Sequence, residues 1–319
     1  MPSSTSRGYL IKASVVLLLT ATALVVFSLY STSDDVIPSE YIESQHWNSI
    51  CHVQRPDFLK MKKVVVFSLY GDRVMDRDGA LANAISVPLY YPSWNSVFVV
   101  DDSIPRDFQN RLWKAGGSVI QVPSNYSSWG DAKRILRYLV LGDMTIEYAM
   151  FRDADSRISA REISSVNAWL QTNKTFHIMR DHPNHLAVIL GGMWSVHAAT
   201  LRSKLGNIRD NVINYVQNQT PDRGTDQKWL SEVIWPLVGD DVVVHDSFNC
   251  DKIDHHAMPF PLPRDYYVDY VGLVQDTSDT ETPLHGHMAV WEEYMRHGEA
   301  TFQSRAPENC RLQPHHIYG

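Results

Sequence analysis

Cysteine is scarce: Cys51, Cys250 and Cys310 are the only three in 319 residues. Thiols so widely spaced do not make a zinc site. In an oxidising compartment they allow one disulfide and leave one thiol over, with the pairing open. A basic excess is also missing. Against 36 Asp and Glu stand 29 Lys and Arg, for a formal charge of −7. That removes the phosphate attraction on which nonspecific nucleic-acid binding leans. Internal repeats, heptad runs and low-complexity tracts are absent, which argues against a solenoid, a coiled coil or a disordered chain. With 44% hydrophobic and 20% charged residues, the composition fits a folded protein of one large domain or two small ones.

Charge is missing altogether from Ala13 to Tyr30. As an α-helix this stretch covers about 27 Å, close to the hydrocarbon thickness of a bilayer. Tyr9, Leu10 and Ile11 lengthen it, and Lys12 can snorkel to the headgroups. Arg7 and Lys12 precede the span, Asp34, Asp35, Glu40 and Glu43 follow it, and no Lys or Arg appears before Arg55. This bias predicts a cytoplasmic tail (1–8), a signal-anchor (9–30), a polar stem (31–60) and a luminal domain (61–319). Ala21-Thr22-Ala23 offers the alternative of a cleaved signal peptide and a secreted chain. The anchor is favoured because the apolar run continues past that site. Sequons at Asn125, Asn173 and Asn218 agree with a secretory-pathway, glycosylated protein.

From residue 63 onward short apolar runs alternate with helical patterns. Strands are expected at Lys63–Leu69, Ser96–Asp101, Ser118–Val122, Ile146–Phe151 and Thr175–Met179, with a further apolar run at Leu186–Leu190 and a late strand at Asp241–Val244. Helices are expected at Gly79–Ile85, Arg106–Ala115, Ser159–Leu170, Asn207–Gln217 and Asp226–Ile234. The clearest has Ala132, Ile135, Leu136, Leu139 and Val140 on one stripe and ends at Gly142. Such alternation implies an α/β fold with βαβ units and a mostly parallel central sheet flanked by helices. Ligands of such sheets bind at the carboxyl ends of strands.

One strand runs straight into Arg152-Asp153-Ala154-Asp155-Ser156-Arg157. In an extended segment Asp153 and Asp155 point to the same face. Two carboxylates there can hold a hard divalent cation. Arg152 and Arg157 can neutralise the pair or reach phosphate oxygens. An isolated Asp-x-Asp also serves as a solvated turn; its strand, flanking arginines and luminal topology favour the metal.

Phe151 to Arg157 resembles the DxD segment of GT-A glycosyltransferases, the group of glycogenin-like and Golgi type II enzymes. Ser68-Leu69-Tyr70-Gly71, Tyr91 to Trp94, Val97 to Pro105, His177 to Pro183, Ile189 to Trp194, Asp226-Gln227 and His245 to Cys250 follow the same pattern in the same order. The resemblance covers about residues 63 to 275. It implies a Rossmann-like GT-A domain behind an N-terminal transmembrane helix, and a metal-dependent, hexosyltransferase-like activity. A sugar would move from a nucleotide-sugar, UDP-linked by preference, to a hydroxyl of a glycan, glycoprotein or glycolipid.

On that resemblance Asp153 and Asp155 carry Mn²⁺ or Mg²⁺ and the donor diphosphate. A third ligand is expected from the C-terminal part, with His245 first and His285 and His287 behind it. Ser68, Tyr70, Arg134, Arg137, Arg152 and Arg157 line the donor site. Gly191 and Gly192 let backbone approach the sugar. Trp194 and Gln227 meet the acceptor, although Trp is more often core. Asp181 and Asp226 are the candidate catalytic carboxylates. The Asp226-Gln227 pair leans to retention of anomeric configuration. The alternative is a catalytically silent binder of carbohydrate or nucleotide-sugar with the same fold. A two-metal phosphotransfer or phosphodiester-hydrolysing enzyme is disfavoured because the histidines are scattered.

Overall fold

The computed structural model describes residues 52–53, 61–263, 270–274 and 310. The anchor segment, most of the stem, Cys51, His285 and His287 lie outside these. No described helix is long and apolar enough to cross a membrane.

Val64 to Phe67 is an unbroken apolar run, and a strand apolar on both faces needs both covered. It forms the core of β2 (Lys63–Leu69), flanked in parallel by β3 (Asn95–Val100) and β5 (Tyr148–Asp153). Next to β3 lies β4 (Ser118–Gln121), also parallel. Two residues of the stretch read as stem form β1 (His52–Val53), antiparallel to β4. On the other side of β5 comes β7 (Met193–His197), antiparallel to both β5 and β6 (Phe176–Arg180). Two more parallel strands, β8 (Val242–Asp246) and β9 (Ala257–Met258), complete that side. The order is β1-β4-β3-β2-β5-β7-β6-β8-β9, a mixed α/β sheet that is mostly parallel.

Alternation along β2 divides the core. Val65 and Phe67 face a cluster with Ala80, Ala84, Phe98 and Trp169, built by α1 (Val74–Tyr90), α2 (Arg106–Lys114) and α3 (Ala160–Leu170). Val64 and Val66 face the other cluster with Ile135, Leu139, Trp194 and Trp229. That side is covered by the helical segment Ser124–Gly142, α4 (Ala198–Leu205), α5 (Ile208–Gln217) and α6 (Thr225–Trp229). A π-helical turn, Leu230–Ile234, joins α6 to α7 (Trp235–Val238).

One expectation changes, and one strand is new. The stripe from Ala132 to Val140 is buried as expected, but on a 3-10 helical segment starting at Ser124 and broken at Gly130 (φ 52°, ψ −132°). The apolar run Leu186–Leu190 is a loop. The next strand is β7, which no sequence pattern singled out and which passes directly into α4 with no turn residue to announce it.

Cys250, opening α8 (Cys250–Ile253), bonds Cys310 across a sequence separation of 60. Closing a loop of this size restricts the unfolded chain. Cys310→Ser should therefore lower the unfolding free energy by about 2–5 kcal/mol, read by urea titration without reductant. An unchanged midpoint would show that the bridge contributes nothing.

Candidate active site

The chain builds β2, β3 and β4 outward in one direction, then returns to lay β5 on the opposite side of β2. This reversal opens a crevice at the carboxyl ends of β2 and β5, where ligands of such sheets bind. Asp153 ends β5 and pairs in register with Ser68 of β2. The Ser68 hydroxyl donates to the Arg134 carbonyl at 3.2 Å, and the Tyr70 hydroxyl to the Lys133 carbonyl at 3.1 Å. Both groups thus dock the Ser124–Gly142 segment onto the crevice.

That segment delivers Arg137. Its side chain is 2% exposed, whereas that of Asp153 is 58% exposed. The guanidinium is therefore the floor and the carboxylate the wall. Nη1 lies 3.1 Å from Asp153 Oδ1, and Nη2 lies 2.8 Å from Asp226 Oδ2. Burial disfavours its charge, but the carboxylates of Asp153 and Asp226 outweigh it and hold the guanidinium charged, over the ring of Tyr138 at 5.4 Å. Tyr138 packs on Phe151, Trp194 and Trp229, so the arginine stands on an aromatic base.

Gly191 and Gly192 close the other side. A Cβ on Gly191 would sit 2.6 Å from Arg137 Nη2 and 2.9 Å from Asp226 Oδ2, and one on Gly192 would overlap the Asp153 carboxylate. Gly192→Ala should swing Asp153 off Arg137. Stability would change little, because the displaced group is a side-chain end facing solvent. Any turnover should fall on the order of 10²-fold, as expected for misplaced reacting groups. A crystal structure of the variant with Asp153 undisturbed would refute this.

Asp155 does not continue the strand. It lies in a turn after β5, so the extended i, i+2 geometry expected from sequence is replaced by a tighter bend. Burial, and the negative charges of Asp153 and Asp76, push its carboxyl up to about 6. Asp76, in the first turn of α1, is raised by burial with Asp153 adding to it, and is opposed by Arg73, Arg134 and Arg223. A crowd of carboxylates tempered by arginines suits a hard cation bound through oxygen together with a diphosphate. Among the described residues, however, the groups of three acid, His or Cys side chains with ligand atoms within 4.8 Å of one another lie elsewhere, at Asp246–Cys250–Cys310 and Asp254–His255–His256. The first is occupied by the disulfide.

Four expected roles are corrected. Arg152 is buried: Nε meets Glu162 at 2.6 Å and Nη1 meets the Trp194 carbonyl at 3.0 Å, so it cannot reach a phosphate. Trp194 is fully buried and stacked on Phe151, so it is core and no acceptor platform. His245 is buried with Nδ1 2.9 Å from His177 Nε2. Burial and Arg161 push it down to about 3, and its neighbours are His177 and Phe260 in place of the aspartates of the turn. Asp181 is buried and takes Arg161 Nε at 2.8 Å and Nη2 at 3.0 Å, with further bonds from Ser247 and the Val271 amide. Its oxygens are engaged within the protein, which makes it a structural anchor.

The remaining residues stay near the crevice. Arg134 is part-exposed, 3.5 Å from Asp131. Arg157 donates to the Ser156 carbonyl at 3.1 Å. Gln227 is part-buried, and its backbone N–H donates to Asp226 Oδ1 at 2.9 Å. Sequence reasoning missed Asp76, Asp101 and Lys133. Asp101 directly follows β3 and is bonded by Lys133 and Ser103. Burial raises its carboxyl, but the Lys133 and Ser103 bonds prevail and lower it. Its place just beyond the carboxyl end of a buried strand was the available signal.

No protein-family model matches the chain, and no curated protein matches it in sequence. Solved structures show partial likeness. The glycosyltransferase GlyE of Streptococcus pneumoniae aligns with 16% identity and a TM-score of 0.39, over 58% of this chain and 45% of its own. TarS of S. aureus aligns at 16% and 0.38, over 58% of each chain. Glucosyl-3-phosphoglycerate synthase of Mycobacterium tuberculosis, solved with UDP, aligns at 15% and 0.38, over 78% of this chain and 84% of its own. The chain thus spans about half the length of the first two.

Proposed function

We propose that the chain is a GT-A glycosyltransferase using a nucleotide-sugar, by preference UDP-linked, and Mn²⁺ or Mg²⁺. The observation that carries this reading is the Asp153–Arg137–Asp226 bridge, pressed against Gly191-Gly192 in the crevice between β2 and β5. Asp153 and Asp155 would hold the cation, which supplies charge neutralisation of the departing diphosphate. His245 has no part in this.

The chain's own groups do the rest. Arg137 fixes the Asp153 carboxylate and cannot drift, because its guanidinium is buried between two acids. Arg134, Arg73 and Arg223 supply positive charge at the mouth. Gly191 and Gly192 leave room for a sugar ring beside backbone. Asp226 faces Gly191 and is placed to bind sugar hydroxyls or to stabilise positive charge as the anomeric bond breaks. The acceptor hydroxyl attacks the anomeric carbon, the nucleoside diphosphate leaves, and the hydroxyl proton passes to a base. Retention is the favoured outcome, with the leaving phosphate as that base. The acceptor would be a glycan, glycoprotein or glycolipid met in the secretory pathway, by a type II protein held in a Golgi-like membrane through residues 9–30. Asn125, Asn173 and Asn218 are all exposed, as N-glycosylation requires.

The test is donor turnover by the full chain made in a secretory host. UDP- and GDP-sugars are screened with Mn²⁺ for released nucleoside diphosphate, with EDTA as control. Metal-dependent release from one donor is expected. Folded protein that neither releases nor binds any nucleotide would reject the proposal.

A further inference from the structure

Residues Tyr270 to Val274 cross the carboxyl edge of the sheet and are tied to three of its strands. The Tyr270 ring packs 4.8 Å from His182, just beyond β6. The Val271 amide donates to Asp181 Oδ2 at 3.0 Å, and its side chain joins Met179 and Met193 in a small apolar cluster. Gly272, at φ +86°, lies so close to β7 that a Cβ would meet Met193 Sδ at 2.8 Å. Val274 forms an isolated antiparallel bridge with Ser156, the residue after Asp155. The segment is thus a strap from the end of β6, over β7, to the Asp153–Asp155 turn.

Asp181 is its anchor on the β6 side. Arg161, from the first turn of α3, neutralises the carboxylate with two hydrogen bonds. Oδ2 then carries both Arg161 Nε and the Val271 amide. A carboxylate buried against its desolvation penalty is retained when its bonds fix a geometry. The Val274–Ser156 bridge is a single one, so a strap released at Asp181 would lose its register beside Asp155.

We infer that Asp181 is a positioning residue: with Arg161 it pins the 270–274 strap across the sheet edge, making the strap the wall that excludes water beside Asp155. This rests on the transferase reading for its functional consequence, though the strap's geometry can be tested without it. Excluding water protects a donor from hydrolysis and reserves it for the acceptor.

The experiment uses the full chain with Cys51→Ser, so that only introduced thiols are free. Ser156→Cys/Val274→Cys is added, with and without Asp181→Asn. Antiparallel bridge partners lie about 4.5–5.5 Å apart at Cα, within disulfide range. Fast, near-complete cross-linking is expected where Asp181 is kept, and cross-linking about tenfold slower in the Asp181→Asn background, as a freed strap samples other positions. In the assay, Asp181→Asn without the cysteines should lower transfer about tenfold while raising the share of donor lost to water, with nucleotide binding within about threefold of wild type. The oxidised cysteine pair should restore transfer to Asp181→Asn. If Asp181→Asn fails to fold, Val271→Pro, which deletes the amide donor and spares the Arg161 pair, takes its place with the same expected results. Equal cross-linking rates would overturn the strap. Transfer and hydrolysis falling together, with no rescue by the cross-link, would overturn it in favour of Asp181 acting on substrate. A wild-type chain without turnover rejects the transferase reading alone; the cross-linking rates still decide the strap.

Discussion

Arg137→Met should destabilise the domain by about 3–5 kcal/mol, the usual result of removing one partner from a buried ion pair. The loss is not chiefly that of an attraction. Asp226 is 9% exposed and would be left as a buried carboxylate facing Gly191 without its cation. Asp153 faces solvent and would be hydrated at little cost, so the penalty falls on the Asp226 side. Arg137→Met/Asp226→Asn should recover part of the stability, because it removes the stranded charge. Denaturant titration of the four members of this cycle isolates the coupling. If Arg137→Met alone cost less than about 1 kcal/mol, the bridge would not be the keystone of the crevice. Activity should not return in the double variant, since Asp153 then lacks Arg137 and the Asp226 carboxylate is gone.

The second large effect concerns the turn after β5. Asp153→Ala/Asp155→Ala should abolish metal-dependent nucleotide release, by at least the order of 10²–10³-fold expected when a group stabilising the transition state is removed. Stability should change little, because Arg137 loses Asp153 but keeps Asp226 while the loss of Asp155 offsets that cost. Asp155 is half-buried beside Asp153 and Asp76, and burial together with their repulsion disfavours its charged form, so its loss relieves a conflict. Asp155→Ala alone, which keeps the Asp153–Arg137 pair, should raise thermal stability while lowering turnover, the pattern of a functional site kept at the expense of the fold. Equal Mn²⁺-dependent release from variant and wild type would remove this turn from the chemistry.

Residue order alone determined the α/β class, the parallel core around β2 and the placing of an acid pair at a strand end. Those follow from local rules: apolar runs of strand length, a 3.6-residue stripe from Ala132 to Val140, and polar residues where a buried strand stops. The stripe even identified the buried face of a segment whose helical type it mistook, because the i, i+3 spacing survives tighter winding. Arg137 was legible as a donor-site candidate but not as different from Arg134, three residues earlier. Only packing distinguishes them: Arg137 rests on Tyr138 between Asp153 and Asp226, the latter 89 positions away.

Tertiary structure also decided the fate of the buried polar residues. Arg152, Asp181 and His245 read from the sequence as reactive groups because their type is reactive. Each turned out to be satisfied by a partner elsewhere in the chain: Glu162, Arg161 and His177. The pairing of Cys250 with Cys310 was likewise beyond reach of spacing. Residue order sets which charges a chain carries and roughly which strand ends they occupy. Whether a charge is satisfied inside the protein or offered to a ligand depends on what is brought against it, and that is set by long-range contacts no local pattern encodes.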